Sequence, residues 1–446
     1  MGDAMNINTK EDVLKAIENN NVKFIRLQFT DIQGVVKDVE IPVTQIEKAL
    51  SVGISFDGSS IEGFVRINES DMVLKPDTSS FAILPWNQKK GVVARMICDI
   101  YLPDGTPFEG DPRYTLKKVM KEAKEMGFSL NVGPELEFFL FERHDGKATT
   151  IPHDFGRYFE FAPADLAEDI RRDIVLTLMD LGFEIEASHH EVAFGQHEID
   201  FKYGDALTTA DNVTTFKYVT RTIAKLNGLH ATFMPKPIFG ENGSGMHVNL
   251  SLSKNGENIF YDADGDMQIS DEARYFIGGL LKHVKAITAI SNPLINSYKR
   301  LVPGYEAPVY IAWSGANRSS LIRIPAARGK GTRVELRSPD PSCNPYITFA
   351  AVLAAGLDGI RNKIDPGDNR EENIFELTDK GLRDFGIETL PSTLNDSAKY
   401  LADDELLKEA LGAHVHNSVL SLAKAEWDSY RIQVHDWEIE RYLNTV

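Results

Sequence analysis

Two short acidic stretches hold the residue types best suited to chemistry. In Gly133-Pro134-Glu135-Leu136-Glu137-Phe138-Phe139-Leu140-Phe141, a period of two puts Leu136, Phe138 and Leu140 on one face and Glu135, Glu137, Phe139 and Phe141 on the other. Both faces are largely apolar. Burying one carboxylate there without a partner is costly, and burying two like charges side by side costs more. A divalent cation neutralises such a pair most directly, because Mg²⁺ and Mn²⁺ prefer hard oxygen ligands. An edge strand with both glutamates in water satisfies the same pattern. The second stretch runs from His189 to Phe201. With Gly195-Gln196 as a two-residue type II′ turn, Phe194 pairs with His197 and Ala193 with Glu198. Glu191, Glu198 and Asp200 then share one face. A surface hairpin with a polar side remains open, but two acid-bearing strands in one chain favour a common cation site.

Further polar residues accompany these acids. Gly240-Glu241-Asn242-Gly243-Ser244-Gly245-Met246-His247 is a glycine-rich turn entering a strand, on which His247, Asn249 and Ser251 alternate with Met246, Val248 and Leu250. Phosphate-cradling glycine loops usually open a helix, so this loop alone is weak evidence of one. Lys299, Arg300, Arg318, Arg323, Arg328, Lys330, Arg333 and Arg337 then cluster among glycine and serine. Arg333, Glu335 and Arg337 fall on one strand face, which predicts a carboxylate held between two guanidinium groups. Arginine offers planar bidentate donors to phosphate or carboxylate, so this mixture suits a site where metal meets polyphosphate. A solvated charge run is the alternative.

The bulk properties narrow the field. The chain has 446 residues, 42% of them hydrophobic, enough for two or three domains. Its net charge of −18 argues against nucleic acid or an anionic membrane as the main partner. Two cysteines, Cys98 and Cys343, exclude a disulfide framework and a cysteine-based zinc site, and fit a reducing cytoplasm. The sequence shows neither a signal-peptide pattern nor an apolar run long enough to span a bilayer.

The elements that must position these residues follow from periodicity. A helix is expected over Lys10–Asn19 with Thr9 as cap, then two strands from Val22 to Phe29 and Val35 to Ile41. Runs at Phe81–Leu84 and Val92–Ile100 complete a small α+β domain ending near Phe108, and Phe56-Asp57-Gly58-Ser59-Ser60 reads as a plain turn within it. Helices are expected over Tyr114–Met126, Leu166–Leu181 and Pro345–Asn362, with two more starting at Leu406 and Leu420.

Together these stretches resemble the short bacterial and archaeal type I glutamine synthetases. The resemblance runs through FDGSS (Phe56–Ser60), GPELEFF (Gly133–Phe139), NGSGMH (Asn242–His247), KRLVPGYEAP (Lys299–Pro308), NRSSLIRIP (Asn317–Pro325) and RVELRSPDP (Arg333–Pro341), in order over nearly the whole chain. It implies an α+β fold, with a small N-terminal β-grasp-like domain (1–108) and a large catalytic domain (109–446) on a curved antiparallel sheet with flanking helices. It also implies a dodecamer of two hexameric rings whose active sites are shared between neighbours. By resemblance, Glu137, Glu191 and Glu198 hold one Mg²⁺ and Glu135, His247 and Glu335 another, with Mn²⁺ possible. ATP, as co-substrate, phosphorylates the side-chain carboxylate of L-glutamate, and ammonia then displaces the phosphate to give glutamine.

The same resemblance implies roles for further residues. Arg318, Arg323 and Arg337 face the transferring phosphoryl group, and Asn242, Gly243, Arg300 and Glu306 bind glutamate. Glu186, Asn249, Ser251, Lys330 and Arg333 lie on the ATP side, with Phe201 and Tyr203 at the adenine. Asp57 binds ammonium and takes its proton, and Glu306 lies on a flap that shields the acyl phosphate from water. Phe375 stands where adenylylated forms carry tyrosine, so control is expected from glutamine, 2-oxoglutarate or a partner protein, with Arg66 in feedback inhibition. Competing readings are an amine or polyamine ligase of the same fold, a guanidino phosphotransferase, and a ring protein without catalysis.

Overall fold

The computed structural model describes residues 7–446 apart from 62, 64–70, 87, 306, 316 and 318, so Arg66, Glu306 and Arg318 lie outside the described residues. Near the N-terminus, Thr9 and Asp12 form a capping box on the helix Lys10–Asn19, whose Val13, Ala16 and Ile17 are buried. Among the described residues six strands follow: β1 (Val22–Thr30), β2 (Val36–Pro42), β3 (Ile54–Asp57), β4 (Asp71–Pro76), β5 (Ala82–Ile83) and β6 (Val92–Tyr101). They form one sheet of order β2-β1-β6-β4-β3, with β5 on β6, and only β1 and β6 run parallel. Ile25, Leu27, Met72, Leu74, Ala94 and Met96 fill its core. The FDGSS stretch is not all turn, since Phe56 and Asp57 extend β3 by pairing with Met72 and Asp71.

The large domain is built on β7 (Ser129–His144), β8 (Lys147–Pro152), β9 (Ile185–His190), β10 (Gln196–Phe201), β11 (Gly204–Asp205), β12 (His230–Thr232), β13 (Met246–Lys254), β14 (Glu257–Asn258), β15 (Tyr310–Ser314), β16 (Ser320–Arg323), β17 (Val334–Leu336) and β18 (Glu388–Thr389). The main path is β18-β15-β16-β17-β13-β7-β10-β9, antiparallel except for β15 with β16. Central β7 shows the expected two faces. Leu136, Phe138 and Leu140 join the main core, while Phe139 and Phe141 pack with Ala193 on the other side.

Helices Asp271–Ser291 and Pro345–Asn362 pack backbone to backbone in that core. A Cβ on Gly279 would stand 2.0 Å from the Ala355 carbonyl, and one on Gly359 2.0 Å from the Tyr275 carbonyl. The two helices expected from Leu406 and Leu420 are one run, Glu405–Tyr430, interrupted at Gly412 with φ +77°. That left-handed backbone is open to glycine at little cost, so the break falls there. Between the domains, Arg113 donates to Asp211 at 3.0 and 2.9 Å, to Asp99 at 2.6 Å and to Asp77 at 2.7 Å, joining the small sheet to two helices of the large domain.

The hairpin of β9 and β10 differs from expectation. His190 pairs with His197 and His189 with Glu198, not Phe194 and Ala193. The reason is the turn: Gln196 N–H donates to Ala193 O, and Gly195, with φ +66°, takes the third turn position instead of the second. The register moves by an even number of residues, so Glu198 and Asp200 keep their face.

Candidate active site

Neighbouring strands bring the acids together through register. Glu135 on β7 lies opposite His247 on β13, and Glu137 lies opposite Glu198 on β10. Arg323 on β16 faces Glu335 on β17. A cavity of about 830 Å³ opens over these strands, and Glu135, Glu137, Glu191, Glu198, His247 and Glu335 all line it with Arg323 and Arg337.

The electrostatics show what the cavity lacks. Burial raises the carboxyl pKa of Glu137 against the pull of His247 and Arg300, even though Gln196 Nε2 and Gly245 N–H donate to it at 2.8 and 3.0 Å. Burial, then Glu137 and Glu198, push Glu191 up to about 9. Glu198 is driven well above its usual value by burial and then by Asp200, Glu137, Glu135 and Glu335. Asp200 rises to about 7, first from burial and then from Glu135. Glu135 alone goes the other way, since His247, Asn249 and Arg323 together outweigh its burial and hold it at about 2. A set of buried carboxylates short of positive charge suits a hard divalent ion. Glu135, His247 and Glu335 already place one ligand atom each within 4.8 Å of one another.

The guanidinium partners of Glu335 are partly other than expected. Arg323 Nε donates to Glu335 Oε2 at 2.6 Å, and Arg337 Nε lies 3.7 Å from Oε1. Arg333, the flanking residue expected there, donates instead to Asn249 Oδ1 at 2.9 Å. Alternation along one strand suggested Arg333, but the pairing of β16 with β17 brings Arg323 closer.

A second cavity, of about 440 Å³, shares Glu135 with the first. Glu186, Phe201, Tyr203, Asn249, Ser251, Lys330 and Arg333 all line it, together with Asp200. Phe201 is its floor, 3% exposed and packed on Phe183 and Phe216, while Tyr203 is exposed at its rim.

Other expected residues lie apart from the two cavities. Gly243 stands behind Glu137, where its carbonyl accepts from Gln196 Nε2 at 3.2 Å, and Asn242 precedes it, half-buried. Arg300 is buried beside them and donates to the carbonyls of Ser338 at 2.7 Å and Arg337 at 3.1 Å. A Cβ on Gly245 would stand 2.6 Å from its Nη2, so a side chain there would push the guanidinium aside. Asp57 is exposed on the small domain and is not among the residues lining either cavity. Tyr158, Asn317, Ser319, Glu371 and Asn373 line the first cavity and escaped the sequence reading, as did Gln196. Gln196 follows Gly195 directly, and a polar side chain leaving a turn between two acidic strands was the available signal.

Comparison with known proteins agrees along nearly the whole chain. Residues 21–103 match the glutamine synthetase beta-Grasp domain and residues 109–442 the glutamine synthetase catalytic domain. Glutamine synthetase of Clostridium saccharobutylicum is 60% identical over 98% of this chain and 99% of the relative, and that of Methanosarcina mazei is 59% identical over 98% of each. Among solved structures, a GmaS/ADP complex superposes with TM-score 0.88 at 34% identity, covering 96% of this chain and 98% of that one. Plasmodium falciparum glutamine synthetase gives 0.87 at 27% identity, over 97% and 98%. Fold, cavity and relatives agree: the chain belongs to the glutamine synthetase family, whose reaction is the ATP-dependent ligation of ammonia to the side-chain carboxylate of L-glutamate.

Proposed function

We propose that the two joined cavities divide this reaction between them. ATP lies in the second, its base between Phe201 and Tyr203 and its phosphates toward Glu135, with Glu186, Asn249, Ser251, Lys330 and Arg333 along its length. L-Glutamate lies in the first, whose wall at Glu137 is backed by Asn242, Gly243 and Arg300, the residues proposed to bind it. Glu137, Glu191 and Glu198 hold one Mg²⁺, and Glu135, His247 and Glu335 hold a second; Mn²⁺ suits the same donors. Such ions supply charge neutralisation for a phosphoryl group passing between two anions. A glutamate carboxylate oxygen attacks the γ-phosphorus and the bond to ADP breaks. Arg323 and Arg337, pre-set by Glu335, and Arg318 donate to the transferring group. Ammonia then attacks the acyl carbon, the bond from that carbon to the phosphate oxygen breaks, and the departing phosphate takes the proton that the new amide loses. Asp57 of a neighbouring subunit takes the proton from ammonium, and Glu306 closes over the intermediate. The exposure of Asp57 on the small domain fits its being supplied to another subunit.

The observation that carries this reading is the sharing of Glu135 by a cavity lined with six metal-type ligands and a cavity lined with seven nucleotide-side residues. The assembly is a dodecamer of two hexameric rings in the cytoplasm. Among the described residues no helix is long and apolar enough to cross a membrane. Phe375, on the rim of the first cavity, has no hydroxyl to adenylylate, so control falls to glutamine, 2-oxoglutarate or a regulatory protein, with Arg66 in the feedback response.

The test is phosphate release from ATP with Mg²⁺ and glutamate, with and without ammonium and 2-oxoglutarate. Ammonium-dependent release matched by glutamine is expected. Release that follows a primary amine in place of ammonium would reassign the chain to amine ligation. No release on metal-loaded oligomer would reassign it to a structural role.

A further inference from the structure

Behind the acidic cavity lies a polar group sealed from solvent. Asp154, His190 and His197 are each 0% exposed. Asp154 follows β8, and its Oδ1 accepts from His190 Nε2 at 2.8 Å and from the Gly195 N–H at 3.1 Å. Those two residues are the two ends of the loop that carries Glu191. His190 Nδ1 in turn lies 2.7 Å from the Glu191 carbonyl, and Phe159 N–H donates to the His190 carbonyl at 3.1 Å. The packing leaves no slack, since a Cβ on Gly156 would stand 2.8 Å from His190 Cδ2 and Nε2.

Asp154, His190 and His197 have the composition of a metal site, but their hydrogen bonds exclude it. Arg171 Nη1 lies 3.0 Å from His197 Nδ1, and a guanidinium only donates, so Nδ1 accepts and the neutral ring carries its hydrogen on Nε2. The nitrogen nearest Asp154, at 3.9 Å from Oδ2, thus has no lone pair for an ion. Both nitrogens of His190 face oxygen acceptors, so both carry hydrogen.

We propose that Asp154 and His190 are positioning residues for the metal cluster: they clamp residues 191–195 so that the Glu191 carboxylate is presented beside Glu137 and Glu198. This inference rests on Glu191 being a metal ligand, as set out above. A loop freed from its clamp must be ordered anew each time an ion binds, and outer partners of this kind are worth about 10–100-fold in metal affinity.

The test counts Mn²⁺ bound to the full-length oligomer by electron paramagnetic resonance, alongside amide hydrogen exchange of the metal-free protein. Asp154→Ala is expected to weaken about 10–100-fold the one ion that Glu191→Gln also weakens. The ion lost in Glu335→Gln, and the KM for ATP, stay as in the wild type. Exchange quickens at residues 191–196. Asp154→Asn, which keeps an oxygen for the Gly195 N–H, restores most of the affinity. Should Asp154→Ala not fold, His190→Gln carries the same expectations. Wild-type binding of both ions, or equal weakening of both together with a fall in thermal midpoint, would overturn the clamp while leaving Glu191 a ligand. Wild-type binding of both ions in Glu191→Gln would overturn the ligand assignment and the clamp together.

Discussion

Loading the acidic cavity with Mg²⁺ should stabilise the protein, by an increment that grows with pH. The reasoning starts at Glu191, whose carboxyl burial and the neighbouring Glu137 and Glu198 raise from 4.5 to about 9. Between those values the folded chain holds a proton that the unfolded chain has lost, so metal-free stability falls as pH rises through that window. Glu198 acts in the same direction, and Asp200, raised to about 7, adds over its lower part. Glu135 acts oppositely, but its contribution is lost only as pH falls toward about 2, well outside the window. At neutral pH an ion that binds Glu191 must displace its proton, two units below the group's pKa, at a cost of about 3 kcal/mol. Apparent affinity should therefore rise by at least roughly tenfold per pH unit between neutral pH and about 9, and more steeply where Glu198 also gives up a proton. The assay is calorimetric titration of Mg²⁺ in buffers of different ionisation enthalpy, which counts released protons, with thermal unfolding at about pH 6 and about pH 8.5. At least one proton released per ion is expected near neutrality, and fewer in Glu191→Gln. A Mg²⁺-induced rise in midpoint that is equal at both pH values, with no proton released, would refute the reasoning.

Three further outcomes are expected. Asp57→Ala should leave glutamate-dependent phosphoryl transfer partly intact while glutamine formation collapses; equal loss of both partial reactions would count against its role with ammonium. Arg113→Met removes the buried cation shared by Asp77, Asp99 and Asp211, leaving their carboxylates facing one another. Denaturant unfolding should show a loss of about 3–5 kcal/mol. Gly279→Ala places a Cβ against the Ala355 carbonyl and the Gly359 amide, which are backbone groups that cannot swing away. The two core helices must move apart, at a cost of about 1–3 kcal/mol measured by the same unfolding.

Local pattern alone determined much of this protein. The helix Lys10–Asn19 with its Thr9 cap and the helix Pro345–Asn362 have the limits their periodicity predicts, because caps and amphipathic stripes act within a turn or two of their own residues. The acids and arginines of the site were legible as residue types on alternating faces. Their motifs, through the family resemblance, supplied the six residues proposed as metal ligands, which line the first cavity together. What periodicity could not supply was pairing between distant segments. The Gly195 turn is set by a hydrogen bond between Gln196 and Ala193, so the register of β9 on β10 differed from the two-residue hairpin. Arg323 displaced Arg333 as a partner of Glu335 because β16 lies beside β17, a fact of sheet order. Asp154 is an unremarkable aspartate until β8 carries it under His190, 36 residues away. Sequence determines which groups are available and which face each points to, through interactions that span a few residues. Only the tertiary structure decides which carboxylates share one buried space, because desolvation and like-charge repulsion depend on neighbours that chain order does not reveal.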